Sequence, residues 1–210
     1  MKTILALEAS SDTASAALWR GGDLVEEQTF YSKRSLSSEL FPVLSRLLEG
    51  VSTLETIVVG LGPGSYAGVR ITIAAALGLQ CVWGSEVLGI PSVVASGGWG
   101  GTYQAIGDAR RGTWYYAQIL EGLCVNGPVL LESGAHLRAA LSAGQGPVCA
   151  SEPLPEEWGS ALAVPSAAIL ARLGAENRGI VQRNDLEPLY LRDPHITVPR
   201  AAAAIPSVKG

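Results

Sequence analysis

The residues with the clearest chemical potential form a short turn, Gly62-Pro63-Gly64-Ser65-Tyr66-Ala67-Gly68, set between an apolar run and a stretch with helical spacing. Glycine admits positive φ and close backbone approach, and the first N–H groups of a helix favour an anion. Gly62, Gly64, Ser65 and Gly68 are therefore candidate phosphate-loop residues. The turn lacks the Gly-Lys-Ser/Thr ending of a P-loop and the G-x-G-x-x-G spacing of a dinucleotide fingerprint. A purely structural turn accounts for the same residues.

Three acids form a second constellation. Glu8 and Asp12 flank the turn after the first apolar run, and Asp108 occupies a corresponding turn in the second half of the chain. If they converged, they could hold Mg²⁺ and nucleotide phosphates as in a small kinase or ATPase. Ordinary solvated turn acids are the other reading, and the C-terminal half shows no glycine-rich loop suited to adenosine.

Other chemistries find little support. His136 and His195 are far apart and neither has an H-x-x-x-H or H-E-x-x-H partner, so no metal site and no peptidase-type centre is expected. No Ser or Cys has a motif that would supply a base, so no catalytic residue is assigned. Cys81, Cys124 and Cys149 are odd in number, widely spaced and set among apolar or small neighbours, and read as buried free thiols of a reducing compartment.

The elements that must position these residues follow from periodicity. Thr3–Leu7, Ala14–Trp19 and Leu24–Tyr31 read as three short strands, the last two joined by Gly21-Gly22. Leu36, Leu40, Val43, Leu44, Leu47 and Leu48 have helical spacing, with Ser37 or Ser38 as candidate caps and Pro42 in the first turn or at a kink. Ile57–Leu61 is a buried strand, and Val69 to about Trp83 a second helix. The order is β-β-β-α-β-α.

The tract Ser96–Gly101, SGGWGG, is the sharpest change in composition and marks a lobe boundary, giving lobes at 1–98 and 99–210. The second lobe opens with strands at Tyr103–Gly107 and Thr113–Leu120, and helices are expected near Gly134–Ala143 and Pro165–Leu173. This is the pattern of an α/β, two-lobed actin-like (ASKHA, RNase H-like) fold, with mixed sheets flanked by helices.

Composition sets the outer limits. The 210 residues are 48% apolar and 16% charged, enough for one or two sizeable cores. The formal charge of −4, with no run of like charges, makes the chain by itself a poor nucleic-acid binder. The apolar stretch before Glu8 is too short for a signal peptide, and the longest uncharged stretch, Ile71–Ser85, has 15 residues, short of a membrane span. A soluble, cytoplasmic protein is expected.

Both helices of the first lobe carry more apolar surface than one contact needs. The apolar positions of the first cover an arc of roughly 160°, against a stripe of about 100° for a single core contact. The second leaves almost no polar face beyond Arg70, Thr72 and Gln80. Its cover is either the rest of the lobe or a partner subunit. Leu40, Phe41, Leu44, Leu48, Ile73 and Leu77 are the candidate partner-interface residues, with core packing the alternative for each. Alone, such a surface favours a two-fold homodimer.

Several segments together resemble the TsaB (YeaZ) family. ILALEASSDTASAALW resembles the family's first hairpin, SSELFPVLSRLL its first helix, and VVGLGPGSYAGVRI its strand, loop and second helix. GDARRGTWYYA and PLYLRDP are similar to its second-lobe strand and C-terminal signature. The resemblance implies the actin-like fold and no independent catalysis. It further implies a scaffold role, through the two first-lobe helices, for the catalytic paralogue TsaD in threonylcarbamoylation of adenosine in tRNA (t6A modification).

The resemblance also implies a TsaE-type ATPase and tRNA as further partners, no cofactor of the chain's own, and ATP or ADP only within the complex. TsaD carries paired histidines for a metal after its second helix, where Gly89–Gly100 here has none. Ser37-Ser38 replaces a usual His-Ser, and Glu8 a frequent Asp.

Overall fold

The computed structural model describes residues 2–31, 36–97 and 101–192. Its centre is strand β1 (Thr3–Glu8), buried along its whole length. β1 is paired on both sides, antiparallel to β2 (Thr13–Arg20) and parallel to β4 (Thr56–Gly60). A strand covered on both faces needs a nearly continuous apolar sequence, and TILALE supplies it. β3 (Asp23–Tyr31), paired only with β2, carries only exposed and half-buried residues, as suits an edge strand. β5 (Glu86–Ile90) extends the sheet parallel to β4.

The second sheet contains β6 (Tyr103–Asp108), β7 (Trp114–Leu120), β8 (Leu123–Leu131), β9 (Val148–Ala150) and β10 (Ala161–Leu162), in the order β10-β9-β6-β7-β8. The first sheet reads β11-β5-β4-β1-β2-β3, where β11 is Gln182–Arg183. The chain thus crosses to the second sheet after β5 and later returns to the first.

Alternation along the strands divides the interior into layers. Leu5, Leu7, Ile57, Val59 and Val87 point into one core with Leu36, Leu40, Leu44 and Leu47 of α1 (Leu36–Leu47) and Val69, Ile73 and Ala76 of α2 (Tyr66–Trp83). Ile4, Ala6, Ala17, Val58 and Ile90 point the opposite way. They share a second core with Ala167, Leu170 and Leu173 of α4 (Ala167–Ala175) and with Tyr103, Ala105, Ala117 and Ile119 of the second sheet. Ile106 and Tyr116, on the far face of that sheet, pack with Leu137 of α3 (Gly134–Ala143). The two lobes therefore share a continuous apolar interior.

Several elements depart from the sequence reading. The helix expected in the second lobe near Pro165–Leu173 is α4, which packs on β1, β2 and β4 of the first sheet. Its start is built by first-lobe groups: Ser15 Oγ accepts from Ala167 N at 2.8 Å, and Glu27 Oε1 from Ala168 N at 3.1 Å. The opening turn of α4 is thereby tied to β2 and β3, and Gly174 lets the helix approach Val58 without a side chain intervening. Ser37 and Ser38 lie inside α1 rather than at its cap, and Pro42 is inside the helix. Cys81, expected in the interior, is exposed on α2, while Cys149 is buried.

Candidate functional site

A cleft of about 710 Å³ lies between the lobes. The first lobe contributes Ser10, Asp12 and the turn Pro63–Tyr66. The second contributes Asp108, Arg110, Tyr115, Ser151 and Glu152, and the segment Leu189–Arg192 borders the cleft as well. The glycine-rich turn and two of the three candidate acids, Asp12 and Asp108, thus meet at one place.

The turn is occupied by its own contacts. Gly62 N donates to Ser92 Oγ at 2.9 Å, Ser65 N to Ser10 O at 2.6 Å, and Gly68 N to Ser65 Oγ at 3.2 Å. A β-carbon on Gly64 would collide with the Ser10 carbonyl, and one on Gly68 with the Ala9 carbonyl. The glycines let the start of α2 seat against the end of β1, and the serine caps the helix. Three of the N–H groups a phosphate would need are already satisfied inside the fold.

The acids are likewise engaged or withdrawn. Asp108 accepts from Arg110 N at 2.7 Å and pairs with the Arg110 guanidinium at 3.2 Å, while Glu152 Oε1 accepts from Asp108 N at 3.2 Å. Glu8 is not a cleft residue. It is fully buried at the end of β1, where Oε1 accepts from Ser10 N at 2.6 Å and Oε2 has no partner. Burial pushes its carboxyl above the ordinary range, against the pull of the Ser10 and Ser92 hydroxyls. Burial likewise pushes the Tyr115 phenol up to about 12, with Ser151 opposing and Glu152 adding to the shift. Among the described residues no three His, Cys, Asp or Glu side chains are grouped to hold a metal ion.

The interface residues expected on α1 and α2 divide sharply. Leu40, Leu44 and Ile73 are buried in the chain's own core, which corrects the expectation that they face a partner. Large apolar side chains gain most from burial, about 1.5–3 kcal/mol each, so they turn inward. Leu48 and Leu77 are half-buried, and Phe41 is 56% exposed.

Besides Tyr66, Arg70 and Val82, α2 shows to solvent a row of small residues, Ala67, Ala74, Gly78 and Cys81, with Ile71 and Leu77 half-buried beside it. At 100° per residue the four fall within an arc of roughly 60°. An added β-carbon at Gly78 would meet nothing.

One cluster had no local signature. Arg70 Nε donates to Tyr190 Oη at 2.7 Å, its guanidinium lies 4.0 Å from the centre of the Tyr66 ring, and the two tyrosine rings are 5.2 Å apart. The residues are 120 positions apart in sequence. Only the GPGSYAGVR and PLYLR segments, taken as a pair, hint at the meeting.

Comparison with known proteins gives a consistent picture. The family model described as "TsaD: tRNA N6-adenosine threonylcarbamoyltransferase" matches residues 30–122. An uncharacterized protein of Mycobacterium tuberculosis is 31% identical over 204 residues, covering 92% of this chain and 93% of its own. The tRNA threonylcarbamoyladenosine biosynthesis protein TsaB of Bacillus subtilis is 36% identical over 123 residues, covering 54% of this chain and 53% of its own. TsaB of Escherichia coli is 30% identical over 125 residues, 55% of this chain and 54% of its own.

Among solved structures, a Pseudomonas aeruginosa protein described as similar to peptidase YEAZ superposes with a TM-score of 0.72 at 22% identity. That match covers 91% of this chain and all of the other. YeaZ from the same organism superposes at 0.66 over the same shares. The two-sheet fold is therefore that of the YeaZ structures, and with near full-length likeness to the mycobacterial protein and 36% and 30% identity to two TsaB proteins over 53% and 54% of their length, the chain belongs to the TsaB (YeaZ) family.

Proposed function

We propose that this chain is the non-catalytic scaffold and activating subunit for a TsaD-type transferase in t6A modification of tRNA, docking through the outer face of α1 and α2. The observation that carries the reading is the exposed row Ala67, Ala74, Gly78 and Cys81 on α2 together with exposed Phe41 on α1, outside the buried core. A smooth apolar surface of this kind on a soluble fold favours a protein partner.

The match to the TsaD family model spans residues 30–122 and so includes both helices. A TsaD-type protein would then carry helices at corresponding positions, and two related helix pairs can pack about a pseudo-two-fold axis. The same face would close a homodimer when the partner is absent. The self-paired groups of the cleft support a role without independent catalysis. With a formal charge of −4, the chain would meet tRNA, and a TsaE-type ATPase, as part of the assembly.

Size-exclusion chromatography with light scattering, on the chain alone and mixed with the TsaD of its own organism, tests this directly. A dimer that converts to a mixed complex is the expected result. A monomer indifferent to folded TsaD would refute the docking role, and calorimetric binding of Mg-ATP to the isolated chain would then redirect attention to Asp12 and Asp108.

A further inference from the structure

A chain segment bordering the cleft is held very differently at its two ends. On the first-lobe side β11 pairs with β5, and Asn184 N donates to Val87 O at 2.7 Å. Leu186 is buried, and Leu189 N donates to Leu61 O at 2.8 Å. Tyr190 then stacks with Tyr66 and receives the Arg70 hydrogen bond. These are backbone pairs, a buried leucine and stacked rings, and together they form a firm anchor.

Beyond the anchor, Leu191 packs partly buried against the shared core. Arg192, an exposed residue, reaches the second lobe with its Nη2, which donates to Thr113 Oγ1 and, at 3.5 Å, to Arg110 O. An exposed hydrogen bond of this kind shifts an equilibrium about two- to tenfold.

The receiving turn is unusual. Arg110 and Arg111 both have positive φ, 67° and 58°, followed by Gly112 at 73°. Non-glycine residues rarely hold this conformation, and such strain persists where surrounding structure enforces it. Here Ala109 N donates to Thr113 O at 3.0 Å, Thr113 N to Arg110 O at 3.2 Å, and Thr113 Oγ1 to Arg110 O at 2.8 Å. The closed turn sets the Thr113 hydroxyl and the Arg110 carbonyl side by side, as the two acceptors that Arg192 uses.

The lobes do not offer an easier way in. One apolar cluster runs through both of them, and Tyr103 Oη donates across to Val93 O at 2.7 Å. A shared interior of this kind holds the lobes as one body, so the cleft is preformed and its access depends on its border. We infer that Leu191 and Arg192 form a short lid at the edge of the interlobe cleft, hinged after Tyr190 and latched by Arg192 onto the strained turn at residues 109–113.

The test places a thiol on the cleft wall by Ser151→Cys and follows its labelling by a bulky maleimide with peptide mass spectrometry. Adding Arg192→Ala is expected to speed labelling of the introduced thiol about two- to tenfold. Thr113→Val, which removes an acceptor from the opposite lobe, is expected to do the same. Cys149, buried in the shared core, serves as the internal reference and should label at an unchanged rate. Equal labelling of the introduced thiol in all three backgrounds overturns the lid, and so does a gain that Cys149 shares, since that reports general loosening.

Discussion

The Glu8 carboxyl lies against Gly60 on the neighbouring parallel strand, so closely that a β-carbon at position 60 would collide with Oε2. That oxygen has no hydrogen-bond partner although the residue is fully buried. The sequence left Glu8 open as a Mg²⁺ ligand; its side chain is instead part of the interior.

The pH dependence of stability should expose this burial. A carboxyl whose folded pKa is raised above its unfolded value stabilises the fold fully below the unfolded value, 4.5, and loses that contribution as pH rises through the folded one. Glu8→Gln keeps a neutral side chain of similar shape. Between about pH 4 and about pH 8 the difference in unfolding free energy is expected to move in favour of Glu8→Gln by about 1–3 kcal/mol. Urea unfolding of both proteins at the two pH values measures it, and a constant difference would show that Glu8 ionises without cost.

The glycines of the GPGSYAG turn should behave as packing residues. Gly64→Ala and Gly68→Ala each force a β-carbon into a carbonyl of the β1–β2 connection, of Ser10 and Ala9 respectively. Each is expected to destabilise the isolated chain by ~1–3 kcal/mol. Gly64→Ala should cost the more, because its φ of 153° is also unfavourable for a side chain. Thermal unfolding decides the matter: variants as stable as the parent would return the turn to the status of a ligand loop.

Much of this arrangement was legible in the sequence, where a physical pattern was local. The apolar run Thr3–Leu7 announced a strand though not its central place in the sheet, and α3 falls at the expected Gly134–Ala143. α4 was visible as a helix, but AAILARLGA is Ala-rich and only weakly amphipathic and so does not say by which sheet it is covered. β8 was missed because Asn126, Gly127 and Pro128 interrupt its apolar pattern. The exposed face of the two helices was misread in part because size was taken as the signal. Leu40, Leu44 and Ile73 are the residues the core claims first, leaving Ala67, Ala74 and Gly78 outside. The stacking of Tyr66, Arg70 and Tyr190 depends on the chain's late return to the first lobe, which no local pattern encodes.

The strained turn offers an internal check on the lid. Arg111 is exposed, with φ 58°, and glycine adopts that conformation without steric penalty. Arg111→Gly is expected to stabilise the fold by about 1 kcal/mol, seen as a raised melting temperature. Arg111→Val should do the reverse, because a β-branched side chain tolerates positive φ least. Unchanged melting in both would mean that the turn is relaxed in solution and poorly suited to hold the latch.

Gly78 separates the demands of the isolated chain from those of a docked one. It lies in the exposed row of α2, and an added β-carbon meets no atom of the chain itself. Helix propensity alone then favours Gly78→Ala by up to about 1 kcal/mol in the free protein. On a face where a partner helix approaches closely, the same methyl group must be accommodated across the interface, so affinity for TsaD should fall as stability rises. Gly78→Arg extends the argument: the free chain should remain folded, because its side chain points to solvent, while binding weakens at least tenfold, or ~1.4 kcal/mol. Melting curves on the free variants and calorimetric titration with TsaD measure the two quantities separately. Opposed signs would locate the partner on this face, whereas stable variants that bind as the parent does would move the interface elsewhere.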